Sequence, residues 1–356
     1  MQFGISVYVG LEQTQEENLS IIVRAASFGA KYLFTSLHLP EVDNIAARDA
    51  LFPIVEKAHE FKMKIIADIT PESLNDSCLY DAIDILRLDD GFAPTTIAKM
   101  TRDDSHHLFA INASSISLSE LNELKASNAD FNRLIAIHNF YPRENTGLDE
   151  AFFVSQNSMI KQFSIDVFSF IPSMHHARGP LYCGLPTLES HRHKSVVTCA
   201  RHLLSLGVEQ ILIGDPLPSS EELKAINELN QIKTANDEAV ILRIKPLTQS
   251  EKIKELLSNV FTSRPDMARD VVRTIESRKQ VKEADIKIAA ENAIQRDIGA
   301  ITLDNDDYPR YNGELEIIKE PLPADKRVNV VAKVVPDDID LIRLIKPKQK
   351  ILFHFV

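Results

Sequence analysis

The segment 83–90 reads IDILRLDD: a short apolar run carries Arg87 and ends in two carboxylates, Asp89 and Asp90. Side chains alternate along a strand, so Arg87 and Asp89 would share one face. An arginine beside a carboxyl group favours its ionised form, which a nucleophile or an electrostatic stabiliser requires. We predict that role for Asp89. The alternative interpretation is a buried structural ion pair.

Two longer segments carry further polar side chains. The segment 172–193 fills the longest interval between predicted strands, and long ordered loops often build pockets. Its polar candidates are Arg178, Glu189 and Arg192. The segment 139–148 offers an amide, a phenol and a guanidinium at Asn139, Tyr141 and Arg143. Because arginine can hold a phosphate or carboxylate through two parallel hydrogen bonds, these loops predict an anionic, hydroxyl-bearing ligand.

Eight apolar, β-branched runs recur through the first 236 residues. They predict strands at Phe3–Val9, Lys31–Leu37, Met63–Ile69, Ile83–Leu88, His107–Asn112, Arg133–His138, Ile165–Ile171 and Glu209–Ile213. Their mean spacing is about 29 residues, close to one strand–helix unit. The capping-box pairs Thr14/Glu17, Ser117/Glu120 and Ser219/Glu222 predict helix starts between them. The pattern therefore predicts an α/β fold, a (β/α)8 TIM barrel. The alternative, a doubly wound sheet, would normally show a glycine-rich phosphate turn, which the sequence lacks.

The active site of such a barrel lies at the C-terminal ends of its strands. The side chains expected there are rich in carboxylates and hydrogen-bonding groups, as a sugar site would be. They are Tyr8, Ser36, His38, Glu41, Asp68, Glu72, Arg87, Asp89, Asp90, Asn112, His138, Asn139, Tyr141, Arg143, Ser173, His175 and Asp215. For Glu72 and Asp215, capping a nearby helix is an equally good interpretation.

The pattern changes after residue 236. Six β-like pieces with turn signals predict strands at Ala239–Ile244, Arg269–Glu276, Ala300–Leu303, Gly313–Ile318, Val328–Val335 and Ile351–Val356. Thr248 and Glu251 form a fourth capping-box pair, which predicts a helix over 251–257. We therefore predict a TIM-barrel domain at 1–236 and a small antiparallel β-barrel domain at 237–356.

Composition excludes several classes of protein. The net charge is −11, and the acidic excess lies in the first 236 residues, since residues 237–356 carry 21 basic and 21 acidic side chains. That balance argues against a nucleic-acid-binding protein. The three cysteines form no CxxC pair, which favours a reducing compartment such as the cytoplasm. The sequence shows neither a signal-peptide pattern nor the ~18 consecutive apolar residues of a membrane span.

A metal-dependent barrel hydrolase is a competing interpretation. Ten of the 11 histidines precede residue 237, and His191 and His193 are two residues apart. Metal-binding amidohydrolase barrels carry His-x-His at the end of the first strand, where this chain has Ser6-Val7-Tyr8. The His191/His193 pair would diverge beside a helix start. We therefore expect no metal and no other cofactor.

Several motifs taken together resemble the bacterial 6-phospho-N-acetylmuramidases. In the first domain they are FGISVY at 3–8, FTSLHLPE at 34–41, LRLDDGF at 86–92, HNFYPR at 138–143 with TGL at 146–148, and GPL at 179–181 with GLPTLE at 184–189. In the second domain they are YNGELEI at 311–317 and RVNVV at 327–331. The motifs run the full length of the chain and are specific as a set.

The resemblance implies a (β/α)8 barrel followed by a cyclophilin-like β-barrel. It also implies cytoplasmic hydrolysis of a 6-phospho-N-acetylmuramyl disaccharide in peptidoglycan recycling. The assignments that follow are our own. We predict Asp89 as nucleophile or stabiliser, with the acid supplied by Asp90, Glu189 or Asp68. We predict that the substrate contacts Arg87, His38, Asn139, Tyr141, Arg143, Arg178, Arg192 and Asp215. The alternatives are a non-catalytic sugar-phosphate binding protein and the metal-dependent hydrolase, and the oligomeric state is left open.

Overall fold

The first part of the chain folds as the predicted closed barrel of eight parallel strands. The computed structural model describes residues 1–36, 44–71, 80–88, 91–208, 210–235 and 239–356. The barrel strands are β1 (Gln2–Ser6), β2 (Tyr32–Ser36), β3 (Lys64–Ile69), β4 (Ile85–Leu88), β5 (Leu108–Asn112), β6 (Leu134–Ile137), β7 (Asp166–Ile171) and β8 (Gln210–Ile213). Each pairs in parallel with its neighbours, and β8 pairs with β1 to close the barrel. The doubly wound alternative is therefore wrong.

Helices join these strands. They are α1 (Gln15–Ser27), α2 (Asn44–Glu60), α3 (Pro94–Asp103), α4 (Leu118–Ala126), α5 (Glu150–Lys161), α6 (Val196–Ser205) and α7 (Ser220–Ala235). The three predicted capping boxes form at the starts of α1, α4 and α7. The reciprocal bonds satisfy N–H groups that a helix start otherwise leaves unpaired. None of the helices in the described ranges is long and apolar enough to cross a membrane.

Aromatic and aliphatic side chains fill the barrel. Tyr8, Phe34, Phe168, Phe170 and Leu212 belong to one buried cluster at its centre. Phe34 and Phe170 meet edge to face, with ring centroids 4.9 Å apart, the geometry that aromatic quadrupoles favour. This packed interior holds the strands rigidly, so the side chains at the strand ends have fixed positions.

The second part of the chain forms a seven-stranded sheet with three short helices. The strands are β9 (Ala239–Pro246), β10 (Val260–Thr262), β11 (Val271–Arg273), β12 (Ala300–Asp304), β13 (Leu315–Ile318), β14 (Val328–Val334) and β15 (Lys350–Phe355), in the order β10-β15-β9-β14-β12-β13-β11. The helices are α8 (Glu251–Leu257), α9 (Ser277–Glu283) and α10 (Ile339–Ile342). Six strands lie where the sequence predicts them, and the short strand β10 was not predicted.

Two details of this part correct the sequence-based predictions. The sheet is mixed rather than wholly antiparallel, because β15 runs parallel to β9 over six residue pairs. The cap of α8 is Ser250, whose side chain accepts the Ile253 N–H, whereas the Thr248 hydroxyl bonds Glu291 at 2.7 Å. The sequence spacing favoured Thr248 as the cap, because its partner in the fold, Glu291, lies 43 residues away and cannot be recognised from local sequence.

Contacts between Cα atoms divide the chain into two compact units. The first holds Met1–Leu203 and Gly207–Ile232, and the second holds Leu204–Leu206 and Lys233–Val356. The predicted boundary between residues 236 and 237 lies outside the described residues, and the exact domain limits stay a prediction.

Candidate active site

A buried ion pair stands at the C-terminal end of β3 and β4. The register of the two strands places Asp68 directly beside Arg87, and Arg87 Nη1 donates to Asp68 Oδ1 at 2.6 Å. Both residues are buried. Arg87 also donates to the Asn139 side-chain oxygen, just beyond β6. The guanidinium therefore joins two predicted site residues and stabilises Asp68 as a carboxylate.

Asn139 is held in place from both sides of its main chain. Its N–H donates to the Ser114 hydroxyl at 2.9 Å, and its carbonyl oxygen accepts the Thr187 hydroxyl at 2.8 Å. Thr187 also accepts the Phe170 N–H at 3.0 Å. Three separate elements thus fix the amide that meets Arg87. Sequence reasoning did not single out Ser114 or Thr187, because their hydrogen bonds to Asn139 span 25 and 48 positions and cannot be recognised from local sequence.

A neutral histidine extends this network towards α5. His138 Nε2 lies 2.8 Å from the Asn157 side-chain oxygen, and Nδ1 lies 3.1 Å from the Ser114 hydroxyl. Burial lowers the pKa of His138 to about 4, so the ring is uncharged at neutral pH. Because the Asn157 side-chain oxygen can only accept, Nε2 carries the ring proton, and Nδ1 accepts the hydrogen bond of the Ser114 hydroxyl. His138 is therefore a support for Asn139.

Arg178 lies over two aromatic rings at the barrel mouth. Its Cζ atom is 4.7 Å from the centroid of Tyr8 and 5.1 Å from that of Phe140. The side chain is buried, yet within the described chain no acceptor meets its Nε or Nη1 atoms. Cation–π contact stabilises the charge without using the N–H groups. The guanidinium is therefore positioned to donate to an anion that enters from solvent.

Tyr8, one of the two rings against which Arg178 packs, is itself held in place. Its hydroxyl donates to the Gly214 carbonyl at 2.7 Å, and burial raises the pKa of the phenol, which stays protonated. Its ring also meets Phe140 edge to face, with centroids 6.4 Å apart. Tyr8 was expected at the end of β1, but the platform it makes with Phe140 depends on the distance between β1 and the loop after β6.

Asp215 anchors the long loop after β7. Its carboxylate accepts backbone N–H groups from Ser173, Arg178 and Leu185, each at 3.0 Å. The side chain is fully buried, and burial raises the pKa of Asp215 against the opposing effect of these bonds. With three main-chain donors and no exposure, Asp215 has a structural role, because it sets the position of Arg178. Its predicted contact with substrate stays a prediction.

Glu189 and Arg192 tie the loop 179–193 to the loop after β6. Arg192 donates to both Glu189 oxygens, at 2.7 and 2.6 Å, and to the main-chain carbonyls of Tyr141, Arg143, Cys183 and Gly184. Glu189 further accepts the N–H groups of Asn145 and Gly147, at 2.9 and 2.7 Å. A Cβ on Gly147 would lie 2.7 Å from the Glu189 carboxylate, so this close approach requires glycine.

These contacts argue against two of the expected roles. The hydrogen bonds from Arg192 lower the pKa of Glu189 to about 2, so at neutral pH the carboxyl group has no proton to give to a leaving group. Arg192 in turn directs all its N–H groups to protein oxygens and has none left for a phosphate. Both side chains are better interpreted as structural residues whose hydrogen bonds hold the two site loops together.

The remaining predicted residues divide into two groups. Tyr141 is half-buried, its backbone N–H donating to the Pro186 carbonyl at 2.9 Å, and Arg143 is exposed. The Arg143 guanidinium meets no acceptor in the described chain, so it can reach a ligand. His38, Asp89 and Asp90 lie outside the described residues, as do Glu41 and Glu72. Their predicted roles stay predictions.

The histidine pair considered as a metal site diverges, as its spacing predicts. His191 is fully buried, with Nε2 2.8 Å from Nδ1 of His202, and His193 is largely exposed. Over the described ranges, no group of three His, Cys, Asp or Glu side chains is arranged to hold a metal ion.

Comparisons with known proteins place this geometry in a family. No protein with a curated description matches the chain. The crystal structure of an uncharacterised B. cereus protein has a TM-score of 0.88 and 28% identity, covering 99% of both chains. That of a conserved Enterococcus faecalis protein of unknown function has a TM-score of 0.70 and 32% identity, covering 100% of this chain and 96% of that chain. Family models for the N-terminal and C-terminal parts of 6-phospho-N-acetylmuramidase match residues 3–228 and 240–354. The chain belongs to the 6-phospho-N-acetylmuramidase family.

Proposed function

We propose that the chain is a glycosidase that cleaves 6-phospho-N-acetylmuramyl disaccharides in the cytoplasm, during recycling of cell-wall sugars. The observation that carries the proposal is Arg178. A buried guanidinium with free N–H groups at the mouth of a barrel is suited to an anionic sugar. A 6-phosphomuramyl group offers two anions, the phosphate and the lactyl carboxylate, and exposed Arg143 is available for the second. The family name supports the same substrate class.

The proposed chemistry uses carboxyl groups around a positively charged transition state. Asp68 is held as a carboxylate by Arg87 at 2.6 Å, so it suits charge stabilisation or orientation of the reacting sugar better than proton donation. Asp89 keeps its predicted role as nucleophile or stabiliser. Because Arg192 holds Glu189 in its ionised form, Asp90 is the remaining candidate for the acid. Asn139, Tyr141 and His38 are proposed to contact sugar hydroxyls.

Product analysis tests this function directly. The intact protein is incubated with 6-phospho-N-acetylmuramyl and unphosphorylated muramyl disaccharides, with and without a chelator, and the products are identified by mass spectrometry. We expect cleavage of the phosphorylated compound alone, unaffected by chelator. Binding without turnover would favour the non-catalytic sugar-phosphate binding protein, and loss of activity with chelator would favour the metal-dependent hydrolase.

Two variants locate the chemistry. Asp68→Asn and Asp89→Asn should each reduce kcat by about 10²–10⁴-fold, the range for a positioned acid–base or charge-stabilising group. Asp166→Asn is a matched control because Asp166 is exposed at the start of β7, the opposite end of the barrel. Near-normal turnover by Asp68→Asn would remove Asp68 from the proposed machinery.

We also propose that the second domain is a cyclophilin-like barrel, as the resemblance implies.

A further inference from the structure

An exposed tyrosine lies on the loop after β7, close to the proposed anion site. Tyr182 is 54% exposed, and its backbone N–H donates to the carbonyl oxygen of Arg178 at 3.1 Å. Arg178 in turn packs on the ring of Tyr8. Single exposed aromatic side chains are common on protein surfaces, so exposure by itself does not mark Tyr182 as functional.

The Tyr182 ring is distinguished by being held at both ends. Its hydroxyl donates to the carboxylate of Glu12, on the loop after β1, and this bond raises the pKa of Tyr182, so the phenol stays protonated. The same end of the ring lies against Gly179, where an added Cβ would be 3.1 Å from the phenol oxygen. The backbone φ of Tyr182 is 52°, in the left-handed region that a bulky residue adopts only where its surroundings impose it. The exposed ring therefore has a fixed position before any ligand arrives.

Two pairs of residues from the same two loops lie at different depths. Tyr8 follows β1 and meets Arg178 from the loop after β7, and both side chains are buried. Four positions further along each segment, Glu12 meets Tyr182, and both are exposed. The inner pair holds the charge proposed to bind the anionic sugar, so the outer pair lies on the solvent side of that sugar. The second sugar of a disaccharide bound in this way extends towards Glu12 and Tyr182.

The outer pair offers the two kinds of contact that a sugar ring makes. The face of an aromatic ring is negative and attracts the C–H groups of a sugar, and tyrosine provides a rigid contact surface at little entropic cost. A carboxylate accepts hydrogen bonds from sugar hydroxyl groups. We propose that Tyr182 and Glu12 bind the second sugar of the substrate, the one that leaves when the glycosidic bond is cleaved. This assignment rests on the function proposed above for the barrel.

The charge of Glu12 makes this position selective. The carboxylate lies beside the Tyr182 hydroxyl, at the place where the second sugar binds. A second sugar that carries its own carboxylate or phosphate is repelled there, whereas a neutral one is not. The position therefore favours a neutral leaving sugar, although the sugar bound by Arg178 is anionic.

Cleavage of two 6-phospho-N-acetylmuramyl compounds by the intact protein tests the assignment. One carries N-acetylglucosamine as its leaving sugar, and the other carries trifluoroethanol, an activated alcohol without a ring. Tyr182→Ala should lower kcat/KM about tenfold on the disaccharide and leave it within about twofold on the trifluoroethyl compound, because only the first loses a contact with the ring. Tyr182→Phe keeps the ring, so kcat/KM should stay within about threefold on both compounds.

Phe61→Ala is the matched control. Phe61 is also an exposed aromatic residue, but it lies between α2 and β3, at the opposite end of the barrel, so its loss should change neither rate. Equal losses on both compounds with Tyr182→Ala, or no loss on the disaccharide, would overturn the assignment. Failure of the unchanged protein to cleave either compound would instead overturn the proposed function, and the assignment with it.

Glu12→Gln tests the charge separately. Glutamine still accepts a hydrogen bond from the Tyr182 hydroxyl, so only the negative charge is lost. We expect kcat/KM on a disaccharide whose leaving sugar carries a carboxylate to rise about fivefold relative to the N-acetylglucosamine compound, as removal of one exposed like charge at close range predicts. An unchanged ratio would refute the selectivity assigned to Glu12.

Discussion

Replacing Arg178 with methionine tests whether the guanidinium at the barrel mouth holds the anionic part of the substrate. Nε and Nη1 are buried and meet no acceptor in the described chain. A charged donor to an anion contributes about 1.5–3 kcal/mol, so loss of two such bonds predicts a decrease of about 3–6 kcal/mol in transition-state binding. That corresponds to a fall of about 10²–10⁴-fold in kcat/KM.

Stability should change much less than activity. The variant loses the contacts of Arg178 with Tyr8 and Phe140, each worth about 0.5–1 kcal/mol. It also removes buried N–H groups that lack acceptors, which recovers about 1–3 kcal/mol of desolvation. The backbone N–H that bonds Asp215 is retained. We therefore expect the free energy of unfolding to stay within about 1 kcal/mol of that of the unchanged protein.

The assay compares kcat/KM on 6-phosphorylated disaccharides with and without the lactyl group, alongside urea unfolding. A loss confined to the lactyl-bearing compound assigns Arg178 to the lactyl carboxylate, and an equal loss on both assigns it to the phosphate. Arg102→Met is the control, because Arg102 bonds main-chain carbonyls on the outer surface of the barrel. If kcat/KM stayed within threefold of the unchanged protein on both substrates, the anion-binding role would be refuted.

Three further predictions concern the supports of the site. Glu189→Gln should lower the free energy of unfolding by about 2 kcal/mol, measured in urea, since an amide cannot accept all the bonds from Arg192, Asn145 and Gly147; full stability with lost turnover would restore its role as acid. The pKa of Glu189 falls from 4.5 to about 2 on folding. The ionised carboxylate therefore stabilises the folded chain above pH 4.5, and this contribution is lost as the pH falls to about 2. In Glu189→Gln the free energy of unfolding should depend less on pH over that range. His138→Gln should reduce the loss of stability between pH 6.5 and about 4, since the folded ring resists protonation; an unchanged slope would contradict the neutral ring. Asp215→Asn should destabilise the chain by about 3 kcal/mol and lower kcat/KM, because three N–H groups lose a charged acceptor; unchanged proteolysis of the loop 173–185 would contradict the anchoring role.

The barrel could be predicted because its signals are local. Each strand is a short β-branched run, and each capping box sits within four residues, so neither depends on distant parts of the chain. The eightfold repeat then fixes the topology, and the strand ends fix where a site can lie. The ion pair between Asp68 and Arg87 joins residues expected at those ends, although their pairing depends on the register of β3 against β4.

The roles of the loop residues could not be predicted in the same way. Arg178 and Arg192 lie 14 positions apart in one polar loop, and nothing in their sequence context distinguishes their roles. In the folded chain Arg192 donates to carbonyls as distant as Tyr141, 51 positions away, whereas Arg178 rests on aromatic rings with N–H groups free. One arginine is structural and the other is available to a ligand.

Sequence by itself determined the family, the strand–helix repeat and the group of residues from which a site is built. Only the tertiary structure decided which of those side chains bond other groups of the protein and which are available to a ligand. The physical reason is that a charged group is satisfied by whichever partners surround it, and those partners come from segments that meet only after folding. Composition records the number of arginines and carboxylates, but the fold determines which of them remain unpaired at the mouth of the barrel.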